Sequence, residues 1–334
     1  MDPVTQGLVG ATASKVFSQN SKLFIIGIIG FLSALTPDLD IFLRSDNDPL
    51  LFFEYHRQFT HSLIFIPVGG LICSLIFFNI VPSKYGLSFK EIYFFATIGY
   101  GTHGLIDALT SYGTQLFWPF TDERVSFNLI SVIDPLFTIP IFFFLVLSLI
   151  KKNKSYIFLA VFWIFIYLSI SSVQKSRATN LILNKIEERG HQSNNILVKP
   201  SFANIIIWKT IYEHENLYYI DAVRLTTSDQ FLVGTSIEKL DLSKSLKWLD
   251  RNSQQAIDIE RFRWFADGYL AISPFDSNKI IDVRYSTLPN KITPLWSIEL
   301  NKTASPDQHI KYVADRKTSP RNLKELLKMI FFLN

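Results

Sequence analysis

Long apolar runs, several of them uncharged, crowd the first 175 or so residues of this 334-residue chain and limit what it can fold into. A helix needs about 20 mostly apolar residues to cross a bilayer, because each backbone polar group must be satisfied within the segment. Ser62–Val81, Ile92–Leu109 (with a polar interruption) and Leu129–Ile150 meet that length. Tyr156–Val173 is slightly short but uncharged. Leu23–Leu35, closed by Thr36 and Pro37, and the weakly apolar Val4–Phe17 read as tilted or half-buried helices. Hydrophobic residues make up 48% of the chain, 30 of them Phe, and their concentration before residue 175 points to lipid as the solvent of that part.

Loop charge sets an expected orientation, because short loops rich in Lys and Arg stay cytoplasmic. Lys15 and Lys22, Lys84 and Lys90, and Lys151, Lys152 and Lys154 occupy alternate loops and so share a side. The other loops mix Arg44, Arg57 and Arg124 with Asp46, Asp48, Glu54, Asp122 and Glu123, which places them on the periplasmic side of an inner membrane. Six segments with both termini outside satisfy this pattern. The start, MDPVTQGLVG, lacks the basic stretch of a cleavable signal, so insertion is expected to rest on the membrane segments themselves. A net charge of +4, scattered along the chain, argues against a nucleic-acid partner, and the single Cys73 forms no intramolecular disulfide.

From about Ser176 the pattern becomes that of a water-soluble α+β domain. Ile196–Val198, Ile205–Tyr212, Leu217–Leu225, Ile280–Tyr285 and Leu295–Leu300 read as strands, with His214, Glu215 and Asn216 turning one hairpin. Ser253–Ala266 reads as a helix with Ser253 as N-cap and Gly268 past its end, and Asn322–Phe332 as a basic amphipathic helix. The expected architecture is an α-helical membrane bundle of about six helices (residues 1–175) followed by a smaller soluble α+β domain (176–334).

Three of the six histidines lie in or beside the membrane segments and close to carboxylates, where ionisable groups are expensive unless they have a function or a partner. His103 and Asp107 in GTHGLIDAL fall four apart on one helical face, a spacing that suits a shared ion or a simple mutual hydrogen bond. Asp38 and Asp40 in LTPDLDIFL repel unless a cation or proton intervenes; the other reading is a cap plus a solvated charge. His56 and His61 in HRQFTHS come together if Thr60 caps the next helix, and Arg57 between them suits an anionic group or, alternatively, headgroup anchoring. The loop TSYGTQLFWPFTDERVSFN reads as an ordered cover or a set of interfacial anchors, and Asp134 as a ligand or a helix-start residue. Loop charge alone puts these pieces on one face. That agreement favours one centre of mixed imidazole and carboxylate ligands, suited to zinc or a similar divalent ion that activates water.

MDPVTQG, PDLD (37–40), HRQFTHS (56–62), HGLID (103–107) and TSYGTQLFWPF (110–120) together resemble the YdjM-like family, described as membrane-bound metal-dependent hydrolases, over about residues 1–150. That family is in turn remotely similar to the helical zinc-dependent phospholipases C, which implies phosphoester hydrolysis. Many relatives carry histidine where this chain has Gln6. The expectation is a hydrolase whose metal is held by Asp38, Asp40, His56, His61, His103 and Asp107. Asp40 would act on the water and Arg57 would hold the anionic group of a lipid-derived phosphoester. The rival is a non-catalytic membrane protein whose structural metal site presents the soluble domain to a partner. A transporter fits less well, since the polar groups lie at helix ends and not at the midplane.

Overall fold

A computed structural model describes residues 1–81, 83–315 and 319–331. The helices, in chain order, are α1 (Pro3–Val16), α2 (Leu23–Leu35), α3 (Leu51–Tyr55), α4 (Ile66–Ile80), α5 (Phe89–Ala108), α6 (Pro135–Ile150), α7 (Ser155–Glu188), α8 (Leu242–Ser245), α9 (Gln254–Phe265) and α10 (Pro320–Phe331). The strands are β1 (Ile196–Pro200), β2 (Ile207–His214), β3 (Leu217–Arg224), β4 (Gln230–Glu238), β5 (Leu270–Ser273), β6 (Asp276–Asp282), β7 (Trp296–Glu299) and β8 (Lys311–Ala314). The chain forms two compact units. One comprises residues 1–42, 55–173 and 202–204; the other comprises 43–54, 174–201 and 205–334.

Among the described residues three stretches are long and apolar enough to cross a membrane: Asn20–Phe42, Leu63–Ile80 and Ser155–Glu188. Helix α6 is apolar but shorter, at 16 residues. The run expected from Leu129 is helical only from Pro135, because Asp134 caps the helix by accepting from Phe137 N (3.3 Å) and proline occupies the first turn. Helix α5 has 20 residues, but Thr102, His103 and Asp107 make it more polar than a lipid-facing span. Three of the six expected crossings thus stand as candidate spans by length and composition. Helix α7 runs for 34 residues with no Gly or Pro to break it, straight through residue 175. At about 1.5 Å per residue it is about 51 Å long, well beyond a hydrocarbon core of about 30 Å.

In the first unit, Ile25, Ile26 and Ile29 of α2 pack with Cys73 of α4 and with Ile92, Phe95, Ala96 and Tyr100 of α5. The helices approach closely because the contact is backbone to backbone: a Cβ on Gly99 would lie 2.5 Å from the Gly30 carbonyl oxygen. The opposite faces of α4 and α6 expose Leu71, Ile72, Leu75, Ile76, Phe142 and Phe143, the composition of a lipid-facing surface.

The second unit holds two four-stranded antiparallel sheets, β1-β2-β3-β4 and β5-β6-β7-β8. The expected strands are present with shifted ends, and Glu215 takes a left-handed conformation (φ 53°) in the β2–β3 turn. Ser253 caps α9 by accepting from Ala256 N, and Gly268 has φ 79° beyond its end. Strands β4, β5 and β8 are additions to the sequence reading. Helix α10 packs Leu326, Met329 and Ile330 on Ile207, Ala222 and Leu288; Phe332, the expected end of that helix, lies outside the described residues. Residues 43–54 belong to this unit through Arg261, which pairs with Asp48 (2.8 Å), Glu54 (2.5 Å) and the buried Asp258 (2.9 Å).

Lys199, Lys209 and Arg284 are all buried here near the carboxylate of Asp282, which Arg284 engages through two nitrogens. Burial pushes the Lys209 ammonium down to about 7, and burial together with the Lys209 and Arg284 charges pushes Lys199 well below its usual range. The unfolded chain then binds more protons than the folded one between about pH 7 and the ordinary lysine value of 10.5. Stability of this unit is expected to rise with pH across that window, the Lys209 share of the penalty being complete below about pH 7. Hydrogen exchange of β2 at pH 7 and pH 9 checks this: protection should increase, and Lys209→Met should flatten the increase. Equal slopes in both proteins would refute the assignment.

Candidate metal centre

Helix α2 gives way at Thr36 to a 3₁₀ stretch, Thr36–Phe42. With about three residues per turn, Asp38 and Asp40 point in different directions, and each finds its own partners. Asp38 Oδ1 lies 3.3 Å from His103 Nε2 and 3.5 Å from His61 Nε2. Asp40 instead meets His56 Nδ1 at 2.7 Å and accepts from Thr60 Oγ1 (2.8 Å) and the Arg57 backbone amide (3.2 Å). A left-handed turn at Arg57 (φ 68°) lets the chain fold back so that residues on both sides of it address Asp40. Such a backbone in a non-glycine residue costs about 1–3 kcal/mol and persists only where its surroundings enforce it.

One turn apart on α5, His103 and Asp107 are both fully buried, with His103 Nε2 3.9 Å from Asp107 Oδ2. Asp107 Oδ2 also lies 3.6 Å from His61 Nε2. Donor atoms of Asp38, His61, His103 and Asp107 all fall within 4.8 Å of one another, and Asp40, His56 and His61 form a second group that shares His61. Ligand atoms about 2.1 Å from a tetrahedral zinc lie about 3.4 Å apart, the scale of the separations around Asp38.

Ring tautomers follow from the outer partners. His103 Nδ1 lies 2.5 Å from the Ala34 carbonyl oxygen, an acceptor only, so Nδ1 carries the proton. His61 Nδ1 meets Thr60 Oγ1 at 2.9 Å, whose own proton goes to Asp40, so His61 Nδ1 is a donor as well. With both rings neutral, their Nε2 lone pairs would face each other across 2.9 Å. Two lone pairs repel at that distance unless a cation or a proton lies between them. Metal-binding histidines characteristically donate their second nitrogen to a carbonyl or carboxylate in this way.

Gln6 joins the site from α1, donating from Nε2 to Asp107 Oδ1 (2.8 Å) and to the His103 carbonyl (3.4 Å). The Met1 amino group also pairs with Asp107. Gln6 Oε1 and Asp107 Oδ2 are buried without a hydrogen-bond donor, although Arg57 Nε stands 3.0 Å from the latter, out of line. Buried oxygens that lack an aligned hydrogen-bond donor, beside facing imidazole nitrogens, fit a divalent cation. Arg57 is itself buried: it pairs with Asp107, reaches Thr110 Oγ1 at 3.3 Å and lies 5.2 Å from the Tyr112 ring centroid.

Thr60 is not the expected helix cap; it lies in a 3₁₀ turn, Phe59–His61, and links His61 to Asp40. Asp134 belongs to the α6 cap, where it also accepts from Tyr167 (2.7 Å). The loop after α5 is ordered by bridging of Thr114 with Val125 and by Arg124 donating to the Tyr112 and Gly113 carbonyls. Gln6, Thr60, Thr110 and the Met1 amino group are site participants that the sequence did not single out. Gln6 was legible only as a departure from the family pattern.

Apolar spans and a buried imidazole–carboxylate cluster define a membrane protein with a site able to hold a metal ion. The chain belongs to the YdjM inner membrane protein family, whose profile matches residues 1–178. It is similar to "Uncharacterized protein YfhP" of Bacillus subtilis (strain 168), 24% identical over 204 residues, which is 60% of this chain and 56% of that protein. It is also similar to "Inner membrane protein YbcI" of Escherichia coli (strain K12), 32% identical over 97 residues, which is 28% of this chain and 54% of that one. The chain thus spans about half the length of the curated relatives it matches. No solved structure matches it.

Proposed function

We propose that this protein is a multi-pass inner-membrane, metal-dependent hydrolase that opens toward the periplasm and acts on a phosphoester of a lipid or lipid-linked substrate. The facing Nε2 atoms of His61 and His103, with both Nδ1 atoms committed elsewhere, are the observation that carries the reading. Asp38, His61, His103 and Asp107 would hold the ion, zinc by the chemistry of the donors. A bound divalent ion supplies Lewis-acid chemistry, polarising a phosphoryl oxygen and making water more acidic.

The chain's own groups do the rest. Asp40, whose oxygens accept from His56, Thr60 and the Arg57 amide, fixes His61 through Thr60 and so acts as a positioning residue in this reading, with His56 beside it. Arg57 holds Asp107 in place instead of reaching for substrate. Asp38, with a side chain 27% exposed where the other three are at most 1%, marks the open side through which a phosphoryl group would enter. A second reading, a structural metal site without catalysis, is favoured by the ligand count, since four protein ligands saturate a tetrahedral ion.

Sealed right-side-out vesicles carrying the zinc-loaded protein separate the two. An impermeant chromogenic phosphodiester added outside should be hydrolysed, the activity should disappear with chelator and return with zinc, and His103→Ala should be inactive. Stoichiometric zinc with no turnover on either face would leave the structural reading, and turnover only in inverted vesicles would reverse the orientation.

A further inference from the structure

The second unit contains a polar cleft of about 460 Å³ that shares no residue with the His/Asp centre. Asn278, Asn301, Lys302, Gln308, His309 and Lys311 contribute to its walls, which are rich in hydrogen-bond donors. Glu299 is the one carboxylate among the lining residues, and it lies 3.8 Å from Lys311. The volume falls in the range of small-molecule sites, about 300–1,000 Å³.

What makes this cleft a built site is the support behind His309. Asp258 is fully buried and fully engaged: it accepts from the Ile310 amide (3.1 Å), Arg261 (2.9 Å) and Gln254 (3.1 Å), and meets His309 Nδ1 at 2.9 Å. An ionised carboxylate only accepts, so His309 Nδ1 donates to it and the ring is held with Nε2 as its other polar atom. That is an orienting device, which a surface histidine with no ligand would not need. The Lys311 side chain is 76% exposed and its ion pair with Glu299 is long, at 3.8 Å, so most of its charge is available to a ligand.

We propose that this cleft binds a phosphoryl group, carried either by a lipid headgroup or by a soluble phosphate ester. Two ammonium groups, an imidazole and three side-chain amides suit an anion with several oxygens better than they suit an apolar or cationic ligand. One carboxylate offsets only part of that positive charge.

The test uses the full chain in nanodiscs of phosphatidylcholine, after chelation to remove any contribution from the His/Asp centre. Inorganic phosphate and glycerol phosphate are titrated calorimetrically, and binding to nanodiscs with and without phosphatidic acid is compared by competition. Saturable phosphate binding that weakens about tenfold for each of Lys302→Ala and Lys311→Ala supports a soluble ester. Phosphate binding abolished by phosphatidic acid, with the same dependence on the lysines, supports a headgroup. His309→Ala should weaken either one; because the lysines are surface groups, their variants stay informative even if His309→Ala fails to fold. Absence of binding to both probes, or binding indifferent to all three substitutions, overturns the proposal.

Discussion

Protein purified with His103→Ala is expected to contain almost no divalent metal, whereas Asp40→Asn should keep a weakened site. His103 Nε2 faces the donors of Asp38, His61 and Asp107, so its loss removes a ligand; Asp40 acts on the opposite nitrogen of His61. Removing an outer partner of a ligating histidine costs about 10–100-fold in affinity, and removing the ligand itself should cost more. Elemental analysis with zinc titration of the two variants beside wild type measures the difference. Equal losses would place Asp40 among the ligands, and full metal content in His103→Ala would dismiss the centre altogether.

A larger effect than its size suggests is expected from Gly104→Ala. Gly104 follows His103 on α5 and packs against the carbonyl of His61, which a methyl group there would overlap. Nothing flexible can yield, because the obstructing atom is backbone. The 3₁₀ turn carrying His61 must move away from His103, widening the 2.9 Å approach of the two Nε2 atoms. Overpacking of this kind costs about 1–3 kcal/mol in stability, and the displaced ligand should lower metal affinity at least as far as loss of an outer partner, about 10–100-fold. Gly101→Ala is the control, since the atoms nearest its methyl group belong to the Ile66 side chain, at 3.3 Å and beyond. Wild-type metal affinity in Gly104→Ala would show that the close contact is dispensable.

The parts of the site legible in the sequence were those fixed by local periodicity. His103 and Asp107 share a face because four residues make one helical turn, and that needs no tertiary information. The division of labour between Asp38 and Asp40 was not legible, because it depends on a 3₁₀ twist after Pro37 that turns two neighbouring carboxylates apart. Gln6 and Thr60 enter only through contacts with residues distant in sequence or turned by an irregular loop. In the second unit Ser253 and Gly268 marked the ends of α9 through cap chemistry. Strand β4 escaped because Gly234 interrupts its pattern; there the Gly234 amide donates to Asp221 in the region where the β3–β4 register shifts. The end of the membrane-like segment was set by hydropathy, yet α7 continues to Glu188, since helix formation follows the backbone and its neighbours and not the change of solvent.

Residues 43–54 join the PDLD motif to the HRQFTHS motif, and their ion-pair anchor, Arg261, comes 213 residues after Asp48. During synthesis, both ligand-bearing motifs leave the ribosome long before the guanidinium that holds the segment between them. Asp48 and Glu54 cannot meet this guanidinium until some two hundred further residues are translated, so the segment between the two halves of the candidate site gains its ion-pair anchor only after both halves have emerged.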